Sequence, residues 1–198
     1  NALAVSGLLV NKVGGDFARP DQPAGYYAPL NFPEREYKPS TDESQFRRAV
    51  YTHWQRQFLH PWLGAFDAPS RQECTADRPQ SNTPNAALVL LNDPSYVEAA
   101  RALAGRILVE QRHAGDDDRM MWAWQNVLGR DAHDGEISEL MRLLHEHHDQ
   151  YAANPAAAEA LVSVGISARP ENVDVAELAA WTSVSRVLLN LNETITRN

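Results

Sequence analysis

The chain of 198 residues has 26 Asp and Glu against 18 Lys and Arg, a formal net charge of −8 at pH 7. This balance argues against nucleic-acid binding, which needs a basic face for the phosphates. No apolar run reaches the roughly 18–20 residues of a membrane span. The single cysteine excludes an internal disulfide and any Cys-x-x-Cys zinc or haem-attachment site within this chain. Hydrophobic content of 43% predicts one globular domain over residues 1–198.

The N-terminal part contains a short helical pattern followed by a stretch rich in Gly and Pro. The chain begins at Asn1 without Met, and residues 2–10 are typical of the end of a helix, so we expect a C-terminal fragment of a longer multidomain protein. Repeated Gly and Pro disfavour a helix over residues 14–41. Aromatic residues alternate with these prolines, which predicts an ordered, extended segment that wraps around a core.

The first long helix is predicted over residues 43–58, because apolar residues recur there at every fourth position: Phe46, Val50, Trp54 and Phe58. Ser40 and Glu43 resemble a capping box at its start. A second irregular, Pro-containing stretch follows over residues 61–83.

Capping side chains and apolar stripes predict six further helices, over residues 85–91, 95–111, 118–128, 136–152, 155–164 and 174–191. No segment shows the two-residue alternation of hairpin strands. The predicted fold class is therefore all-α, an irregular helical domain of about seven helices with two long ordered Pro-rich loops.

A cluster of histidines at 145, 147 and 148 has the residue types of a metal site but not the spacing. A tetrahedral zinc site needs three or four convergent ligands. His148 falls on the predicted apolar stripe and His147 on the opposite face, so their side chains would diverge. The sequence therefore predicts no metal site.

The polar loop from Asp67 to Asn82 is the candidate binding loop, because functional residues often lie on loops held by a rigid scaffold. No nucleophile elbow or phosphate-binding loop is present, and catalytic residues are not identified. In the alternative, structural interpretation, Asp67 and Asn82 cap helices, the arginines pair with nearby carboxylates, and the cysteine is a buried or half-buried structural thiol. The candidate binding residues are Asp67, Arg71, Cys74, Arg78, Asn82 and Asn92.

Five strings in order resemble the uncharacterised C-terminal domain of planctomycete-type cytochrome-c-associated proteins. They are FRRAVYTHW at 46–54, FDAPSRQEC at 66–74, Asn82–Pro94, VLGR at 127–130 and Trp181–Glu193. The resemblance extends over essentially the whole chain. Asp77 departs from it, standing where the family tends to have an arginine beside Arg78, which argues against anion binding by this loop.

The resemblance implies a large, exported protein of the periplasm or cell envelope. Any haem c would belong to an upstream domain, and no cofactor is expected in this chain. We expect a non-catalytic helical packing or interaction domain whose partners are upstream domains of the same protein, in an electron-transfer or polysaccharide-processing context.

Two alternatives remain open at this point. The first is an enzyme, a hydrolase acting on glycans with side chains from the Asp67–Asn82 loop and from the corner at Asn92 and Asp93. The second is a domain that contacts haem and supplies a distal ligand such as His53 or His60.

Overall fold

The computed structural model describes residues 1–29, 36–55, 58–70, 72–77, 81, 83–133 and 135–196. Over these residues the secondary structure consists of helices, which confirms the all-α class. The helices are α1 (Ala2–Ser6), α2 (Pro61–Ala65), α3 (Pro84–Asn92), α4 (Pro94–Glu110), α5 (Asp116–Leu128), α6 (Glu136–Ala153), α7 (Pro155–Val162), α8 (Val175–Asn190) and α9 (Asn192–Ile195).

Short polar side chains fix the starts of four helices, as the sequence predicts. Each accepts a hydrogen bond from a backbone N–H that the first turn leaves without a helical partner. The cap residues are Thr83 for α3, Asp93 for α4, Asn154 for α7 and Asp174 for α8. Pro at the first position of α3, α4 and α7 removes an N–H that would have no helical acceptor.

Backbone contacts divide the chain into two compact units, which are described separately. The first unit contains residues 1–8 and 90–198, and the second contains residues 9–89. The organisation of residues 1–198 as a single domain stays a prediction.

Helix α8 lies at the centre of the first unit and packs against α4, α6 and α7. Its Trp181 is 1% exposed, and small residues beside it allow the neighbouring helices to approach closely. The buried hydroxyls of Thr182 and Ser183 donate to carbonyls one turn earlier in the same helix. A central helix can therefore carry polar side chains without leaving these donors unsatisfied.

A buried ion pair on α4 forms hydrogen bonds with the backbone of the turn that follows α7. Glu98 Oε1 accepts from the backbone N–H groups of Ile166 at 2.7 Å and Ser167 at 2.5 Å. It lies 3.6 Å from Arg101 Nη2, which donates to Ser167 O at 2.8 Å. Gly165 has φ +90°, and a Cβ there would overlap the Glu98 carboxylate. The turn is thus built around an internal carboxylate.

The predicted helix over residues 43–58 is wrong. In the described part of this segment, helical turns occur only as two short 3-10 turns, Glu43–Phe46 and Ala49–Tyr51, and residues 52–55 and 58 are not helical. The capping box at Ser40 is also wrong, because the first turn is capped by Asp42, which accepts from Ser44 N at 3.1 Å. Val50, assigned to the apolar stripe, is 65% exposed.

Long-range pairing explains why residues 46–53 do not form that helix. The segment runs alongside residues 10–18 in the same direction. Val10 N donates to Phe46 O at 3.0 Å, Ala18 N donates to Tyr51 O at 2.7 Å, and His53 N donates to Ala18 O at 2.7 Å. These bonds use backbone groups that a continuous helix would need for itself.

The Pro-containing segments agree with the prediction in part. Over their described residues, 14–29 and 36–41 contain no helix, while Leu30 and Phe32 lie outside the described residues. The described residues of 61–83 include a helix that the sequence did not predict, α2, which begins with Pro61 at its first position. None of the helices in the described ranges has both the length and the hydropathy needed to cross a bilayer.

Candidate functional site

The Asp67–Asn82 loop is closed at its base by Asp67. Its carboxylate Oδ2 accepts from Ser81 N at 2.8 Å and from Ser81 Oγ at 2.5 Å. Asp67 itself has φ +54°, an uncommon conformation for a residue with a side chain. Asp67 also caps the C-terminus of α2, because its N–H donates to Gly64 O at 3.3 Å and the next N–H, of Ala68, donates to Leu63 O at 2.9 Å. Its backbone therefore ends a helix, as the structural interpretation expects, while its carboxylate joins the two ends of the loop.

The other candidate residues of this loop are only partly described. Cys74 is exposed, as are all residues of 72–77, so the expectation of a buried or half-buried thiol is wrong. Arg71, Arg78 and Asn82 lie outside the described residues. Asn92, the last residue of α3, is exposed and belongs to the first unit. A joint binding role for the six residues stays a prediction.

The histidines of α6 take the opposite faces from those predicted. His147 is half-buried and its ring stacks on Tyr151, with centroids 5.9 Å apart. His148 is exposed, with half of its side chain accessible. The register of the buried residues Leu140 and Leu144 places His147, not His148, on the packed side. Among the described residues, no three or more His, Cys, Asp and Glu side chains are grouped so that they could hold a metal ion.

The paired segments 10–18 and 46–53 expose three large apolar side chains. Val13 is 80% exposed, Phe17 is 48% exposed and Val50 is 65% exposed. We call Val13, Phe17 and Val50 the braced surface, because buried interactions behind them hold the backbone in place. Exposed apolar side chains on an ordered backbone are candidates for an interaction site.

The hydrogen bonds of Arg47 are the main interactions that hold this backbone in place. Its side chain is buried, and the guanidinium donates to the backbone carbonyls of Lys12 (3.0 Å), Gly14 and Asp16. The same group lies 3.9 Å from the centre of the Tyr51 ring, and the Tyr51 hydroxyl accepts from Gly14 N at 3.1 Å. One cation therefore satisfies three carbonyls of the turn that presents Val13. Arg47 lies outside the predicted apolar stripe of Phe46 and Val50, so the spacing of the segment gives no sign of this role.

Basic residues lie in or next to the two segments that carry the braced surface. Lys12 and Arg48 are exposed, and the Arg19 guanidinium lies 4.8 Å from the centre of the Phe17 ring. Asp16 is the acidic residue within the same turn. The Lys12 charge also acts on the Asp42 carboxylate, so the charge of this region is mixed.

A cavity of about 670 Å³ in the second unit is lined by tyrosines. We call it the Tyr cleft; its lining residues are Gln22, Pro23, Ala24, Gly25, Tyr26, Tyr27, Ala28, Glu36 and Tyr37. The Tyr26 hydroxyl donates to Leu59 O at 2.9 Å, and the Tyr37 hydroxyl donates to Pro20 O at 2.6 Å. Burial raises the pKa of the Tyr37 phenol, which keeps this donor protonated.

His60 is buried behind the cleft in its neutral form. Its ring is 2% exposed and lies 6.4 Å from the Tyr37 ring and 5.2 Å from the Trp62 ring, between centroids. Nε2 is 2.8 Å from the carbonyl oxygen of Asp21, which can only accept, so Nε2 carries the proton. Burial lowers the pKa of His60 to about 4, although the bond to Asp21 opposes this change.

The buried His60 predicts a loss of stability in mild acid. The pKa of His60 is about 4 in the folded protein and 6.5 for an unperturbed histidine in the unfolded chain. Between these two pH values the unfolded chain therefore binds one more proton than the folded protein. The free energy of unfolding should therefore fall as the pH drops from 6.5 to 4, by about 3 kcal/mol, and the His60 contribution should level off below that range. Urea denaturation across this pH range measures the change.

The control is His60→Gln, whose amide can still donate to Asp21 O but does not titrate. Carboxylates also titrate in this range, so the difference between the wild type and the variant isolates the histidine. Equal slopes of stability against pH in both proteins would contradict the assignment of a buried neutral imidazole.

A second cavity, of about 940 Å³, lies in the first unit beside α5 and α6. Its lining mixes thioether side chains with both signs of charge, including Met121, Asp131, Met141, Arg142 and His145. This mixture does not single out one class of ligand.

Comparison with known proteins places the chain in a family without assigning an activity. The family model described as PSD1, a protein of unknown function (DUF1553), matches residues 1–144. No curated protein and no solved structure shows significant similarity to the chain. The match extends over most of the chain, including the braced surface, the Tyr cleft and the Asp67–Asn82 loop. The chain therefore belongs to the DUF1553 family of proteins of unknown function.

Proposed function

We propose that this chain is a non-catalytic interaction domain that docks through the braced surface onto another domain of the same exported, cytochrome-c-associated protein. The observation that carries the proposal is the exposure of Val13, Phe17 and Val50 on a backbone fixed by the buried Arg47. The resemblance to planctomycete-type proteins supplies the context: a periplasmic or cell-envelope location, and haem c in the upstream part of the protein.

The brace supports a docking role because it reduces the entropy lost on binding. A flexible turn would have to be ordered when the partner arrives, and that ordering weakens the complex. Here Arg47 and Tyr51 already hold the Gly14–Gly15 turn, in which both glycines have positive φ. The apolar side chains are thus presented in a fixed arrangement before any partner binds.

The charges around the surface indicate the chemistry of the partner. Lys12, Arg19 and Arg48 lie in or next to the segments that carry the apolar side chains, and the Arg19 guanidinium lies 4.8 Å from the centre of the Phe17 ring. A complementary partner would carry an apolar centre with carboxylates around it, because opposite charges at the rim speed association and fix the orientation. Binding to such a partner should weaken as the salt concentration rises.

The two alternatives receive less support from the described side chains. A hydrolase that used Asp67 would have to break its two bonds to Ser81. A distal haem ligand at His60 would need a ring that is 2% exposed and bonded to Asp21 to reach the iron. We therefore favour the interaction domain.

Hydrogen exchange and binding in trans test the proposal. In the full-length protein, the amides of residues 10–18 and 46–53 should exchange more slowly than in the isolated 198-residue chain. The double variant Val13→Ser/Val50→Ser should weaken binding of the chain to the separately expressed upstream part by about tenfold or more, since two apolar contacts are lost.

The matched control is Val109→Ser, an apolar residue on α4 that is 51% exposed and lies outside the braced surface. It should leave the affinity unchanged. Equal exchange in the two forms, or equal weakening by the control and the double variant, would overturn the proposal.

A further inference from the structure

We propose that the Tyr cleft binds a small organic cation with an alkylated ammonium group, of the choline type. This site is separate in its residues from the braced surface, and the inference does not depend on the docking role. It rests on the tyrosine rings, on the charge at the rim and on the way in which the phenol hydroxyls are already bonded.

The tyrosines present fixed aromatic rings and not free hydroxyls. Tyr26 and Tyr37 each donate their hydroxyl to a backbone carbonyl, and Tyr27 is 7% exposed. Tyr27 also packs edge-on to Tyr37, with ring centroids 5.5 Å apart and planes at 84°. Donation from a phenol leaves more electron density on its ring, which strengthens the attraction of the ring for a cation.

Charges of both signs lie near the cleft: Arg19 and Asp21 both act electrostatically on the Tyr37 phenol, while the acidic Glu36 belongs to the lining itself. Of the described residues that line the cleft, Glu36 is the charged one. Its partner Lys38 is 3.2 Å away in a pair whose side chains are 74% and 77% exposed. Such an exposed pair is weak, so a ligand cation can compete with Lys38 for the carboxylate.

The bonded state of the tyrosine hydroxyls favours an ammonium ion over a sugar, and the lining also holds Gln22, whose buried Oε1 has no hydrogen-bond partner among the described residues and can accept only. A sugar needs several donors and acceptors placed around its hydroxyls, whereas the hydroxyls of Tyr26 and Tyr37 are already bonded to the protein. Pro23, Ala24 and Ala28 add apolar lining that suits N-methyl groups. The cavity of about 670 Å³ also leaves room for a substituent beyond the ammonium group.

Calorimetric titration of the full chain with choline tests the site. The uncharged carbon isostere of choline, dimethylbutanol, has the same shape without the charge. Choline should bind, and dimethylbutanol should bind at least about tenfold more weakly, because the cation–π attraction and the Glu36 charge act only on the cation.

Variants distinguish the rings from the carboxylate. Tyr26→Leu should weaken choline binding about tenfold, while Tyr26→Phe, which keeps the ring, should remain within about threefold of the wild type. Glu36→Gln should weaken binding about threefold and reduce its salt dependence. Glu73→Gln is the matched control, an exposed carboxylate of the same unit outside the lining, and should change nothing. Circular dichroism verifies that each variant is folded.

Three results would overturn the inference. Equal affinity for choline and dimethylbutanol would make the cleft a general apolar site. Binding of glucose or maltose without binding of choline would make it a saccharide site. Absence of choline binding to the folded wild-type chain would show that the cleft does not bind the proposed class of ligand.

Discussion

Glu98→Gln should lower the free energy of unfolding of the first unit by about 3–5 kcal/mol. The substitution leaves the Arg101 guanidinium buried without its counter-ion, and side chains of both residues are at most 3% exposed. It also weakens the acceptor for the N–H groups of Ile166 and Ser167. Urea denaturation followed by circular dichroism measures the loss.

Two further variants test whether the loss of stability comes from leaving a buried charge unpaired. Glu139→Gln breaks an exposed pair with Arg142, whose side chains are 67% and 73% exposed, and should cost no more than about 1 kcal/mol. The double variant Glu98→Met/Arg101→Met should be less destabilising than Glu98→Gln alone, because no buried charge is left unpaired. A small effect of Glu98→Gln, similar to that of the exposed control, would contradict the assignment of a buried pair.

Arg47→Met should destabilise the second unit by about 2–4 kcal/mol. Methionine fills much of the same space, but it leaves the carbonyls of Lys12, Gly14 and Asp16 without their donor. The cation over the Tyr51 ring is lost as well. Denaturation by urea, and faster hydrogen exchange of the amides in residues 10–18, measure the change.

Arg48→Met is the matched control for this substitution. Arg48 is the exposed neighbour of Arg47, so the same chemical change should stay within about 0.5 kcal/mol of the wild type. Arg47→Lys should fall between the two, because an ammonium group cannot reach three carbonyls with the fork of a guanidinium. Equal effects at both arginines would show that the buried brace does not hold the turn.

The helices of the first unit could be predicted because their signals are local. A cap such as Asp174 and a stop such as Gly129, which has φ +72°, act within one turn of the helix that they bound. The predicted boundaries of α4 and α6 accordingly lie within one residue of the observed ones.

The second unit could not be predicted in the same way because distant residues decide its structure. The spacing of Phe46 and Val50 is that of a helix, yet pairing with residues 10–18 takes the backbone groups that a helix would use. For the same reason the role of Arg47 could not be predicted, because the carbonyls that it binds lie more than thirty residues earlier in the chain. No pattern within residues 43–58 reports that contact.

In the candidate loop, the sequence could not predict the partners of individual polar side chains. Polar composition predicts a loop over residues 67–82, and the described residues 67–70, 72–77 and 81 contain no helix, but composition does not tell which polar group bonds to which. The bond from Asp67 to Ser81 spans fourteen positions, and the exposure of Cys74 follows from the course of the chain between them. The sequence therefore located the loop without assigning the roles of its side chains.

The bond between Asp67 and Ser81 has a consequence for how this family can diverge. Because the two ends of the loop are held together, the helices on either side do not depend on the length of chain between them. Lengthening such a loop adds only about 0.6 kcal/mol per doubling in closure entropy. The exposed stretch from Gln72 to Asp77 is therefore a place where evolution can insert or delete residues, or a whole module, while α2 and α3 keep their structure.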